Sequence, residues 1–154
     1  MKIVFASDHA GFVLREQLMD VAIGLGHEVN AVGAQSEDPY DYPDAADEGC
    51  AAVLSGDADF GVLVCGNATG ICMRANKHAG VRAAPCTTIK MARMSRRHNH
   101  ANVLCLGQRI TDLETAAAIM EVFLTEPEDH DERHDRRVAK IDAGATAARK
   151  ESRE

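Results

Sequence analysis

The chain opens on an apolar run, Ile3-Val4-Phe5-Ala6, and then turns polar at Ser7-Asp8-His9-Ala10-Gly11. A short β-branched and aromatic run closed by turn formers predicts a buried strand. Leu14, Leu18, Val21, Ala22 and Leu25 follow at helical spacing until Gly26 stops them. His27 to Val32 alternates as a second strand, and residues 33–42 read as a loop with Gly33, Asp38, Pro39 and both tyrosines. Pro43 is placed to open a helix, with Asp44, Asp47 and Glu48 in its first turns and an end near Gly56. Asp59 to Val64 reads as the third strand, Ile71 to Lys77 as a short helix and Val81 to Cys86 as the fourth strand. Thr87 or Thr88 caps a helix to about Arg97, Val103 to Gly107 makes a fifth strand, and Asp112 caps a helix through Leu124.

Strands alternating with helices across short links predict an α/β fold: a doubly wound, five-stranded parallel sheet with helices on both faces. The expected strand order is 2-1-3-4-5. Residues 1–126 form the expected catalytic domain, and 127–154 a linker, helix and tail. Glu126 to Asp131 is acidic and holds a proline, so it reads as a link. Residues 133–142 are helix-compatible, with Val138 and Ile141 as apolar anchors. A helix this polar finds little to pack on in its own domain and is expected to reach a neighbouring subunit. The last ten residues, 145–154, are mostly alanine, charged residues and serine, and are expected to fray.

Composition narrows the class. No apolar run approaches the roughly 20 residues that span a bilayer, and Asp8 and His9 interrupt the first apolar stretch too early for a signal peptide. Five cysteines without a CxxC pair favour reduced thiols in the cytoplasm over a disulfide framework. A net charge of −7 argues against nucleic acid as a partner. Two local basic clusters, Arg93 to His98 and Arg133 to Arg137, suit a small anionic ligand instead.

The chemistry concentrates at Cys65-Gly66-Asn67-Ala68-Thr69-Gly70, between the third strand and the next helix. A small-residue turn at a helix start can aim backbone N–H groups at an oxyanion. A thiol at the carboxyl end of a strand lies where open α/β sheets place their chemistry, and a helix N-terminus can lower a thiol's pKa. Cys65 is therefore a candidate base or nucleophile, against the alternative of a small buried hydrophobe. An imidazole titrates near working pH, which suits His98 to proton transfer, although a helix-end histidine is also favourable by itself. Arg133 and Arg137 put two guanidinium forks on one helical face, a match for phosphate oxygens or simply a solvated charged face. His98 with His100, and His130 with His134, are the histidine pairs at metal-compatible spacing. Neither has an evident third ligand, so no metal and no cofactor are expected.

Taken together, Asp8-His9-Ala10-Gly11, Cys65-Gly66-x-x-x-Gly70 with Ala75-Asn76-Lys77, Gly80-Val81-Arg82, Arg97-His98-Asn99, Gly107-x-Arg109 and Arg133-His134-x-x-Arg137 resemble type B ribose-5-phosphate isomerases. The galactose-6-phosphate isomerase subunits belong to the same superfamily. The likeness runs in order through residues 1–142. It implies a Rossmann-like domain working as a homodimer or homotetramer, with sites at the subunit interface. It also implies metal-free interconversion of an aldose phosphate and a ketose phosphate through an enediolate, ribose 5-phosphate and ribulose 5-phosphate foremost. By this resemblance Cys65 is the base, His98 opens the sugar ring with Asn99 beside it, and Asp8 holds sugar hydroxyls. His9, Arg109, Arg133, His134 and Arg137 fall at phosphate-site positions. Another branch of the family uses a glutamate at the position of Ile71, so this chain falls in the cysteine branch.

The loop departs from the family pattern. Asn67 stands where threonine is usual and Ala68 where glycine is usual, and Arg74 replaces a small residue in the following helix. If position 68 needs a positive φ, alanine costs about 1 kcal/mol or more. These changes bear on which tetrose, pentose or hexose phosphate fits. A non-catalytic phosphosugar-binding module and a thiol-dependent transferase or redox protein are the competing classes.

Overall fold

The computed structural model describes the backbone of residues 1–151 and the side chains of residues 1–144. Five strands, β1 (Lys2–Ser7), β2 (Glu28–Gly33), β3 (Phe60–Cys65), β4 (Ala83–Pro85) and β5 (Val103–Gly107), form one sheet. Every neighbouring pair is parallel. The helices are α1 (Phe12–Gly24), α2 (Tyr42–Ser55), α3 (Thr69–Ala75), α4 (Ile89–Asn99), α5 (Leu113–Thr125) and α6 (Glu132–Glu151).

Side-chain alternation along the strands divides the core into two layers. Ile3, Phe5, Val62, Val64, Leu104 and Leu106 pack with Leu14 and Leu18 of α1, Ala92 of α4 and Ile119 and Phe123 of α5. Ala6, Leu63, Cys65, Val103 and Cys105 pack on the opposite face with Ala46 and Cys50 of α2 and Ile71 and Cys72 of α3. The helix starts follow local chemistry. Asp112 Oδ1 accepts the Thr115 N–H at 2.9 Å, and Thr88, rather than Thr87, caps α4 by accepting the Met91 N–H at 3.2 Å. Each such cap is worth about 1 kcal/mol.

The strand order is β2-β1-β3-β5-β4, not 2-1-3-4-5. Burial and proline explain the correction. β5, Val-Leu-Cys-Leu-Gly, is buried along its whole length and takes an interior place. β4 shrinks to three residues and ends in Pro85. Proline cannot donate to a ladder, so it belongs on an edge strand. The switch in strand order between β1 and β3, with β2 added on one side and β3 on the other, is kept, and it leaves a crevice beyond their carboxyl ends.

α6 runs to Glu151, well past the expected end at 142. It lies against α4 of its own chain, burying His134 and Val138, and Asp142 pairs with Arg82 at 3.0 Å. The fraying expected of residues 145–154 falls outside the described side chains, and for 152–154 outside the described backbone.

The turn after β1 sits directly on the end of β3. A Cβ at Gly11 would lie 2.3 Å from the Val64 carbonyl oxygen. Gly11→Ala is expected to cost more than about 2 kcal/mol through this overpacking, measured as a lower midpoint in chemical denaturation.

Candidate active site

Three strand ends converge on one cleft of about 600 Å3, lined among others by Asp8, His9, Cys65, Gly66, Asn67, Thr69, Gly70 and Arg109. Asp8 follows β1 and caps the short helical turn His9–Gly11, accepting the Gly11 N–H at 2.9 Å. Its carboxyl is buried, and that desolvation raises its pKa. The Gly11 amide, His9 and Arg109 pull in the opposite direction without cancelling the effect. His9 Nδ1 lies 3.2 Å from the Tyr40 amide nitrogen, which pins the imidazole at the rim.

Cys65 ends β3 and is almost fully buried. The loop after it is held from below by the turn that follows β5. Gln108 N–H donates to Cys65 O at 2.9 Å and Arg109 N–H to Gly66 O at 3.0 Å. Gly107 lets the loop backbone close in, since a Cβ there would be 2.8 Å from Asn67 Cα. The Arg109 guanidinium packs over Gly66, where a Cβ would meet Nη1 at 3.3 Å.

The residues that set this loop apart from the family pattern have distinct places. Ala68 has φ 68° and ψ −19°, in the left-handed region, as the N-cap of α3. Asn67 Oδ1 accepts the Thr69 N–H at 3.1 Å. That side chain takes the Thr69 amide out of the expected oxyanion set. Asn67 and Ala68 N–H have no acceptor among the described residues. Arg74 does not line the cleft. It forms a two-pronged pair with Asp47 of α2, at 2.7 Å for each contact, and this holds the Asp47 carboxyl below its ordinary pKa. Tyr42, Met73 and Ile110 line the cleft instead, none of them singled out from the sequence. A Cβ at Gly70 would lie 2.8 Å from the Tyr42 ring, so the tyrosine covers the helix start. An aromatic residue just ahead of Pro43 in a polar loop is the signal that could have found it.

The remaining candidates form a second group. His98 and His134 stack with ring centroids 4.3 Å apart and planes 2° apart. Arg133 Nη2 is 3.2 Å from His134 Nε2. Burial, then the neighbouring His98 and Arg133, lower the His134 pKa. Arg133 and Arg137 are exposed, as is Asn99. This group is not beside Cys65. α4 leaves the carboxyl end of β4 and returns to the amino end of β5, which runs parallel to β3. Eleven residues of helix span about 16 Å, so His98 lies at the opposite end of the strands from Cys65.

The chain matches the model of the Ribose/Galactose Isomerase family over residues 3–141. It is 41% identical over 123 residues to ribose-5-phosphate isomerase B of Escherichia coli K12, covering 80% of this chain and 83% of that protein. The crystal structure of a ribose 5-phosphate isomerase from Thermotoga maritima is 45% identical, with a TM-score of 0.90 over 92% of this chain and 97% of that one. Ribose-5-phosphate isomerase B of Clostridium thermocellum is 41% identical, with a TM-score of 0.93 over 96% of this chain and 99% of that one.

Ala68→Gly is expected to raise stability by about 1 kcal/mol by releasing the left-handed strain. The denaturation midpoint checks it, and a decrease would mean that packing of the Ala68 methyl outweighs the strain.

Proposed function

The chain belongs to the ribose/galactose isomerase family, and on that premise we propose that it interconverts ribose 5-phosphate and ribulose 5-phosphate. The observation that carries the reading is the Cys65 thiol at the end of β3, in one cleft with Asp8, His9, Arg109 and the 66–70 loop. Cys65 removes the C2 proton of the open-chain aldose, and the C1 carbonyl becomes an enediolate oxygen. The same proton, or one exchanged with solvent, returns to C1, and the C2 hydroxyl proton passes to the C1 oxyanion, leaving a C1 hydroxyl and a C2 ketone. The loop amides of Asn67 and Ala68 stabilise the oxyanion, a contribution of about 10²–10³ in rate for one such donor. Asp8 accepts from sugar hydroxyls. A cleft kept open beside the altered loop supports catalysis over a binding module whose anion site has collapsed. Five free thiols support a reducing, cytoplasmic location. Among the described residues no helix is long and apolar enough to cross a membrane.

Ring opening by His98 with Asn99, and phosphate binding by Arg133, His134 and Arg137, belong in this reading to a neighbouring copy. The separation of the two groups within one chain supports a homo-oligomer whose site is shared. So does the apolar surface beside Asn99, where Met91 and Met94 of α4 are exposed next to Pro85 of the edge strand. Residues 1–126 then act as the catalytic body and 127–154 as the arm serving the partner. Dimer and tetramer both satisfy this geometry.

Proton NMR in D2O with four-, five- and six-carbon aldose phosphates is expected to show ketose formation with deuterium entering C1, fastest for ribose 5-phosphate. Cys65→Ala should lower kcat by at least about 10²-fold while circular dichroism and phosphate binding stay unchanged. Near-normal turnover by that variant would rule out the thiol base. Mixed oligomers of Cys65→Ala and Arg137→Ala subunits should regain activity through the one intact site type. No recovery after demonstrated subunit exchange would exclude sharing.

A further inference from the structure

The two histidine pairs visible in the sequence are exchanged in space. His98 stacks on His134, and His100 meets His130 with ring centroids 5.2 Å apart. The second pair takes no part in the proposed isomerisation. We propose that His100, His130 and Asp135 form a binding site for a divalent transition-metal cation of the zinc type, with Glu128 as the carboxylate that orients both imidazoles.

The distances carry the proposal. His130 Nδ1 is 3.3 Å and His100 Nε2 is 3.7 Å from Asp135 Oδ1, and the three ligand atoms all lie within 4.8 Å of one another. Zinc bonds of about 2.0–2.2 Å put tetrahedral ligand atoms about 3.3–3.6 Å apart, so closing the set needs an adjustment of about 1 Å. The far nitrogens of both rings face one oxygen. Glu128 Oε2 lies 3.6 Å from His100 Nδ1 and 3.9 Å from His130 Nε2. Its other oxygen, Oε1, pairs with Arg96 at 3.2 Å, which fixes the carboxylate. A carboxylate behind each ligating imidazole is the arrangement that sets the tautomer and strengthens the ligand. His100 Nε2 donates to the Asp129 carbonyl oxygen at 3.2 Å, a bond that the cation would replace, with water as the fourth ligand.

The fold holds one side of this site and exposes the other. His100 is buried at the end of α4, with φ 48°. The Asp129 N–H donates to Arg97 O at 3.0 Å and docks the acidic link on that helix end. His130 is 68% exposed, which gives a cation an entry path. A bound ion would tie His100, two residues from His98, to Asp135, which directly follows His134. It would thus fix the stacked pair from one side without touching the Cys65 cleft.

The test uses the full-length, metal-stripped protein titrated with Zn2+ by calorimetry and with Co2+ by visible absorption. One Co2+ per chain with ligand-field bands and no thiolate charge-transfer band is expected. His130→Ala and Asp135→Asn should each weaken Zn2+ binding at least about 10-fold, with His27→Ala as the unchanged control. A thiolate band would place the ion at cysteine and overturn the proposal. So would unchanged affinity in both variants, or no binding of either ion at millimolar concentration.

Discussion

The one-way direction of the sheet is the constraint on which the rest of this structure depends. All five strands run parallel, so every residue just after a strand collects at one end of the sheet and every residue just before a strand at the other. Asp8, Cys65 and Arg109 follow or end β1, β3 and β5 and therefore meet. His98 and Asn99 end the helix that leads into β5 and are carried to the far end. A parallel crossover permits no other arrangement. The two halves of the proposed site are kept apart within the chain by topology, which is why the proposed function calls on a second copy.

At the near end, the cleft is made by backbone approaching backbone. Gly11 lays the first turn on the end of β3, and Gly107 admits the loop above β5. That loop is then held by main-chain bonds from Gln108 and Arg109. The rigid frame can hold Ala68 in a conformation costing about 1–2 kcal/mol, because its neighbours are fixed on both sides. Asn67 responds to the same frame by accepting from Thr69, which changes which loop amides stay without an acceptor among the described residues.

At the far end the organisation is electrostatic. Arg96 and Arg97 of α4 reach Glu128, Glu126 and Asp129 of the link, while Arg82 holds Asp142 of α6. These pairs dock an otherwise polar helix, of which His134 and Val138 are the buried residues among those described. On polarity alone α6 reads as a helix reaching away from its own domain. Four-residue spacing of two buried positions and the His98–His134 stack seat it on α4, while the ion pairs hold the link before it and Asp142 further along it.

Local pattern determined much of this protein. The strands, most helix starts and the strand–turn–helix around Cys65 follow from runs of apolar residues, glycine stops and polar caps, which act over a few neighbours. The grouping of Asp8 with Cys65 follows from strand ends in a parallel sheet, also readable in one dimension. Tertiary structure decided what depends on competition between distant segments. β5 displaced β4 from the interior because it buries fully while Pro85 cannot pair on both sides. Arg74 turned to Asp47, and Tyr42 took the wall of the cleft. His98 and His100 each met a histidine from the far side of α5 rather than one another, because the docking of one link on one helix end set which rings could meet.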